Sequence, residues 1–279
     1  MPPSRTPAEL LMCRPAFYTI AYEINPWMRL SRQANRVRAA AQWQQLYTVL
    51  RRDLGARVRL LPPRAGVPDL VFTANAGLVR GRLFIRSNFR FPQRRKEEPV
   101  VERYFRRAGF RVATLPSQFR FEGEGDALWM GSRLMFGFRF RSDAPAHAAL
   151  AKLLKSEVLP VELVDDRFYH LDTCFCPLDR TRALWFPGAF DRYGRAVIER
   201  AAPESIAVSE RDAKRFACNA VVIGRRVVLQ AGASPALRRR LARCGFDVHA
   251  VDLSEFLKAG GSAKCLVLHL TRPTSAMDT

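Results

Sequence analysis

One pattern returns five times along this chain. A polar residue leads an apolar strand, a turn and a second strand in DLVFTANAGLVRGRLFIRS (69–87), EGEGDALWMGSRLMFGF (122–138), HLDTCFCPLDRTRALWF (170–186), FACNAVVIGRRVVLQ (216–230) and GSAKCLVLHL (261–270). The leading residues Asn75, Asp126, Asp172, Asn219 and Lys264 are 51, 46, 47 and 45 positions apart. Arg80-Gly81, Gly131-Ser132, Asp179-Arg180 and Gly224-Arg225 supply the hairpin turns. A unit of this length cannot bury its own apolar face. Copies of it must pack against one another. The fifth segment lacks a second strand, and AFYTIAYEI (16–24) is expected to provide it and close a ring.

Between hairpins the pattern turns helical and then extended again. Residues 31–54 put Trp43, Leu46, Tyr47, Leu50 and Leu54 on one helical face, with Gly55 as the stop. RVRLLPP follows as a strand. The succession recurs in 97–108 before FRVATLP, 144–155 before VLPVELV, 192–201 before SIAVS, and 234–244 before FDVHAVD. The expected architecture is therefore α/β, a five-fold pseudosymmetric propeller of ββαβ units. No Pro/Gly/Ser-rich linker separates the units, so residues 12–279 are read as one domain and 1–11 as a loose tail.

Composition narrows the function classes. The formal charge is +20, from 46 Lys+Arg against 26 Asp+Glu. Forty of those cations are Arg and six are Lys, and they are spread over every segment. That skew is the mark of codon composition, not of a nucleic-acid groove with interleaved aromatics. No apolar run reaches the roughly 20 residues of a membrane span. MPPSRTPAELLMCR has no apolar core of a signal peptide, which predicts a cytoplasmic chain whose six Cys are thiols. Cys174 and Cys176 form C-x-C with no second pair at zinc spacing, so neither a metal nor another cofactor is expected.

In a ring of repeats, residues of equal phase meet at the centre. They are Asn75, Glu122 with Asp126, His170 with Asp172, Asn219, and Cys265 beside Lys264. Singly each has an ordinary reading: a core thiol, a buried His, an acidic turn. Polar groups at the start of apolar strands are costly unless they serve a site. Together a Cys, a His and carboxylates make a nucleophile, a base and its orienter, and the acids suit a cationic substrate.

FEGEGDAL (121–128), YHLDTCFCPL (169–178) and EFLKAGGSAKCLVL (255–268) resemble the guanidine-modifying superfamily of five-bladed propellers. YEINPWM (22–28), PDLVFTANAGLV (68–79) and FACNAV (216–221) resemble its bacterial arginine dihydrolase branch in particular. The likeness runs from about Cys13 to Leu270. It implies Cys265 as nucleophile, His170 as general acid/base and Glu122 as the partner of the His. It implies Asp126 and Asp172 as acids that grip the guanidinium, Asn75 and Asn25 as the amides of the dihydrolase branch, and Arg141 as a clamp for the substrate carboxylate. EGEGD is one residue longer than the E-G-G-D of many relatives, which leaves Glu124 beside Glu122 as a partner for His170. Asn88 stands where relatives tend to carry a second clamp, and Arg90 or Arg94 is open to replace it.

The activity implied is hydrolysis of an arginine-like guanidine through a covalent amidino-thioether. One round gives a ureido product. A second gives ornithine, CO2 and ammonia. Deiminase, dimethylargininase and amidinotransferase chemistry are the alternatives within the superfamily, and a non-catalytic basic scaffold is the alternative outside it. The partner expected is a small guanidino compound, with a homo-oligomer left open.

Overall fold

The computed structural model describes residues 7–271. Its strands form five separate three-stranded sheets, each built alike. In the first, β3 (Gly77–Arg80) pairs antiparallel with β4 (Leu83–Arg86), which pairs parallel with β5 (Arg111–Thr114). The same order holds for β6 (Ala127–Met130), β7 (Arg133–Phe138) and β8 (Val158–Glu162). It holds again for β9 (Phe175–Pro177), β10 (Ala183–Trp185) and β11 (Ile206–Ala207). The fourth sheet is β12 (Val221–Ile223), β13 (Arg226–Gln230) and β14 (Asp247–Val251). Within each of these units a helix links the second strand to the third, at Glu98–Arg107, Ala146–Leu154, Arg192–Ala201 and Pro235–Arg243.

The fifth sheet joins the two ends of the described chain and corrects two expectations. Its hairpin strand β15 (Leu268–His269) pairs antiparallel with β1 (Glu9–Cys13), which pairs parallel with β2 (Arg57–Leu61). The closing strand is thus 9–13 and not 16–24. Residues 7–11 are no loose tail either, since Leu10 and Leu11 are fully buried in that sheet. Residues 1–6 of the expected tail and 272–279 of the expected domain lie outside the described residues. Segment 16–24 instead folds as irregular wall: Tyr18 stacks on Phe256 and donates to the Glu255 carbonyl.

Apolar side chains fill the space between the sheets and their helices, as in the stacked rings of Phe84 and Phe105. The polar leaders lie in tight turns just before the first strands: Asn75 in Thr73–Ala76, Asp172 in Leu171–Thr173. Neighbouring turns are tied across units. Ala74 N–H donates to the Cys265 carbonyl at 3.2 Å and Lys264 N–H to the Asn219 carbonyl at 3.2 Å. The repeat therefore carries its polar residues to one shared centre.

Candidate active site

Glu122 is the hub. Its Oε2 accepts from His170 Nε2 at 2.8 Å and from Arg141 Nη1 at 3.0 Å, and its Oε1 accepts the Arg90 backbone N–H at 3.1 Å. All three side chains Glu122, His170 and Arg141 are buried. Burial pushes the Glu122 carboxyl up, but the Arg141 guanidinium and the His170 hydrogen bond outweigh it and hold the group below the usual carboxylate range. An ionised carboxylate only accepts, so His170 carries its proton on Nε2 and presents the Nδ1 lone pair. Burial lowers His170 to about 4, against the pull of Glu122, so the ring is neutral. Glu124, the rival partner, faces elsewhere: it accepts from Lys264 Nζ at 2.9 Å and from the His269 N–H at 3.1 Å.

The turn that carries these acids is shaped by two glycines. Gly123 has φ +60, and a Cβ there would lie 2.6 Å from the Gly77 carbonyl oxygen. A Cβ on Gly125 would lie 2.4 Å from Asn75 Nδ2 and 3.2 Å from the His170 ring. The missing side chain of Gly125 thus lets Asn75 and His170 close over bare backbone.

Cys265 sits in the turn before β15, fully inside the protein. Its Sγ donates to Asp172 Oδ2 at 3.3 Å and accepts from Asn219 Nδ2 at 3.1 Å. Burial and the Asp172 carboxylate push the thiol well above its ordinary range. Burial also pushes Asp172 up to about 7, with Lys264 opposing it. Asn219 was visible in the sequence only as a member of the repeat phase, and its contact with the sulfur was not foreseen.

Asn75 and Asp172 keep atoms in reserve. Asn75 Oδ1 accepts from Arg94 Nη1 at 2.8 Å, which fixes the amide orientation because a guanidinium only donates. Its Nδ2, Asp172 Oδ1 and His170 Nδ1 are all buried with no hydrogen-bond partner. One donor, one carboxylate acceptor and one imidazole lone pair are therefore left for a ligand.

Two expected substrate residues are committed elsewhere. Asp126 Oδ2 accepts from the Ser142 hydroxyl at 2.6 Å and its Oδ1 from the Leu171 N–H at 3.1 Å. It fastens the strand turn that holds His170, and the structure offers no geometry by which it grips a guanidinium. Asn25 lines the cavity, but its Oδ1 accepts from the Trp27 and Met28 N–H groups and its Nδ2 donates to the Ala259 carbonyl. It acts there as a turn former. Arg141 lines the cavity as expected, held by Glu122, the Ile24 carbonyl and the Tyr169 ring.

Of the two replacement clamps, Arg94 is at the cavity and Arg90 is not among its lining residues. Glu97 grips Arg94 through Nε and Nη2, both at 2.8 Å, leaving Nη1 toward Asn75. Arg90 pairs with Asp143. Asn88 bonds the Ser117 and Phe119 carbonyls and is structural. Sequence reasoning missed Asp69 and Tyr169 in the wall, since neither shares the repeat phase. The cavity measures about 10 Å³, the room of about one water, so a ligand enters only as its wall shifts. Among the described residues no group of His, Cys, Asp and Glu is arranged to hold a metal, and no helix is long and apolar enough to cross a membrane.

Several known proteins are similar to this chain. The family model of eukaryotic N,N-dimethylarginine dimethylhydrolase matches residues 20–272. The bifunctional arginine dihydrolase/ornithine cyclodeaminase AgrE of a Nostoc species is 49% identical over 268 residues, 94% of this chain and 38% of AgrE. The N(G),N(G)-dimethylarginine dimethylaminohydrolase of Mycobacterium tuberculosis is 39% identical over 271 residues, 96% of this chain and 88% of that protein. A crystal structure of a variant of the N-terminal domain of ArgZ, covalently bound to a reaction intermediate, superposes with a TM-score of 0.91 at 44% identity, covering 95% of this chain and 98% of that one. The chain thus spans little more than a third of the length of its bifunctional relative.

Proposed function

Since this chain belongs to the dimethylarginine dimethylaminohydrolase family of guanidine-modifying enzymes, we propose that it hydrolyses arginine twice at one carbon, giving ornithine, CO2 and two ammonia. The observation that carries the choice is Asn75. Its oxygen is taken by Arg94, and only its NH2 is left for the ligand. A guanidinium presents N–H groups alone and leaves that donor idle. A ureido group presents an oxygen that would accept from it. The site is thereby suited to hold the product of the first round for a second.

The steps follow from the unpaired atoms. The guanidinium donates to Asp172, displacing the Cys265 S–H, and its positive charge favours the thiolate. The thiol proton passes to His170 Nδ1, and sulfur attacks the guanidinium carbon. The C–N bond breaks as His170 returns the proton to departing ammonia, leaving the amidino-thioether. His170 then takes a proton from water, the water oxygen bonds to carbon, and the C–S bond breaks to give citrulline and thiolate. In the second round the thiolate attacks the ureido carbon, the C–N bond breaks as His170 gives the departing ammonia the proton it took from water, and a thiocarbamate on Cys265 is left, whose C–S bond water then cleaves. The resulting carbamate loses CO2. Arg141 and Arg94 are the cations at the cavity for the substrate carboxylate. These steps call for no metal or cofactor, and the free thiols of all six Cys suit a cytoplasmic enzyme.

The test is product analysis after incubation with arginine. Ornithine is expected. Citrulline alone would make the protein a deiminase, and turnover of dimethylarginine but not arginine would assign it to the other activity of its family. Cys265→Ser is expected to lose at least ~10³-fold in rate with the fold intact. A loss below tenfold would remove Cys265 from the mechanism. Asn75→Asp should raise citrulline relative to ornithine, and an unchanged ratio would detach Asn75 from the second round.

A further inference from the structure

Asn219 has every hydrogen-bonding site of its amide in use, and all of them serve the nucleophile turn. Oδ1 accepts the N–H of Ser262 and the N–H of Cys265, each at 3.1 Å. Nδ2 donates to the Asp172 carbonyl at 2.9 Å and to Cys265 Sγ at 3.1 Å. The side chain is fully buried. Two backbone dipoles aimed at the oxygen polarise the amide and strengthen its N–H groups as donors. Because Oδ1 faces two N–H groups, the orientation of the amide is fixed and an N–H points at sulfur.

We propose that Asn219 is a positioning residue that holds the Cys265 sulfur as an anion, when it attacks and again when it is expelled from each covalent intermediate. This rests on the reading of Cys265 as the nucleophile. The other charged and titratable groups that act on the sulfur are unfavourable or remote. Asp172 accepts from the thiol and repels the thiolate. Tyr169 is neutral, its hydroxyl donating to the Gly260 carbonyl. Lys264 is adjacent in sequence, but its Nζ is turned to Glu124 and the Val267 carbonyl. The His170, Glu122 and Arg141 group is bound together on its own side. Before substrate arrives, Asn219 is the one side-chain donor that the sulfur has among the described residues, acting beside the Ser262 backbone N–H, which it orients through its own oxygen. The sulfur is negative at the start and end of each round, so the contact matters four times in a double hydrolysis.

The experiment follows the rate of Cys265 alkylation by iodoacetamide from about pH 7 to 11, a tenfold fall in rate at fixed pH below the midpoint standing for a one-unit rise in it, with kcat and KM for arginine measured beside it. Asn219→Ser is neutral and too short to reach the sulfur, while its hydroxyl can still accept a backbone N–H. We expect the alkylation midpoint to rise by about half a unit or more, with kcat lowered at least ~10-fold and KM within ~3-fold. Asn219→Asp keeps the acceptor for both N–H groups and replaces the donor with an oxygen, so its midpoint should rise by about one unit or more. A folded Asn219→Ser variant with a midpoint within about 0.2 units of wild type overturns the proposal. If that variant does not melt cooperatively, the aspartate variant decides on the same reading. Failure of both to fold would also overturn it, because the amide would then be architectural. The alkylation reading does not depend on arginine being the substrate, so a wrong substrate and a wrong role for Asn219 give different results.

Discussion

Replacing Glu122 by Gln tests the centre of the site with one atom. The carboxylate now accepts three hydrogen bonds, two on Oε2 from His170 and Arg141 and one on Oε1 from the Arg90 N–H. An amide has a single oxygen. Placed at Oε2, it keeps His170 and Arg141 but turns its NH2 toward the Arg90 N–H. Placed at Oε1, it sets two donors against its NH2. The first arrangement is the less costly, so the His170 tautomer survives and the charge does not. Arg141 is then a buried guanidinium without its carboxylate, a loss of about 3–5 kcal/mol in such pairs. At about 2–4 °C per kcal/mol for a chain of this size, melting should fall by on the order of 10 °C. His170 must become cationic when it takes the thiol or water proton, and Glu122 is the charge that supports it. Losing that support removes most of a general acid/base contribution of about 10²–10⁴-fold. The assay is kcat for ammonia release from arginine, with a melting curve on the same sample. A kcat within tenfold of wild type would refute the role of Glu122 toward His170. An unchanged melting temperature would refute the buried pair.

Four further outcomes follow. Asp172, pushed up to about 7, must be ionised to bind a guanidinium, so kcat/KM for arginine should fall as pH drops below about 7, and a flat profile from about pH 5.5 to 7.5 would contradict this. Gly125→Ala forces Asn75 and the His170 ring apart and should lower kcat on the order of 10²-fold while the protein still folds; full activity would show that the close approach is slack. Asp126→Asn should cost about 1–3 kcal/mol of stability through its Ser142 and Leu171 contacts and leave KM for arginine within ~3-fold. A tenfold rise in KM with unchanged melting would restore Asp126 as a substrate acid. Dialysis against a chelator should leave activity intact, and loss that zinc or manganese restores would require a metal.

The repeat made most of the fold readable because it acts at two levels. Period-2 apolar runs define the hairpins and 3.6-period runs the helices, while the spacing of Asn75, Asp126, Asp172, Asn219 and Lys264 says which turns meet. The closing strand was misread for a physical reason. AFYTIAYEI is the longer and more aromatic run, yet its rings serve the wall, as Tyr18 does against Phe256. ELLMC is short and buried on both faces, so it shows no alternation to mark it as a strand. One of its partners, β15, is at the other end of the described chain, and no local signal reports a pairing of that range.

The site was readable by phase and not by commitment. Asp126 and Asp172 hold equivalent places in the repeat, and both were expected to grip a guanidinium. One has both oxygens occupied, by a hydroxyl and a backbone N–H, and the other has Oδ1 unpaired. Asn25 and Asn75 differ in the same way: the first uses its oxygen for the Trp27 and Met28 N–H groups and its Nδ2 for the Ala259 carbonyl, and the second has no partner at Nδ2. What separates each pair lies outside the motif. Ser142 follows Arg141 at the end of a hairpin, and Arg94 lies in the short helix Pro92–Arg95 beyond β4. A buried polar group must be satisfied by protein or by ligand. The neighbours of Asp126 and Asn25 supply those partners, whereas Asp172 Oδ1 and Asn75 Nδ2 have none among the described residues. The bonds that separate these residues come from positions outside the repeated turns, Ser142 and Arg94 among them, so residue type and spacing alone do not tell Asp126 from Asp172 or Asn25 from Asn75.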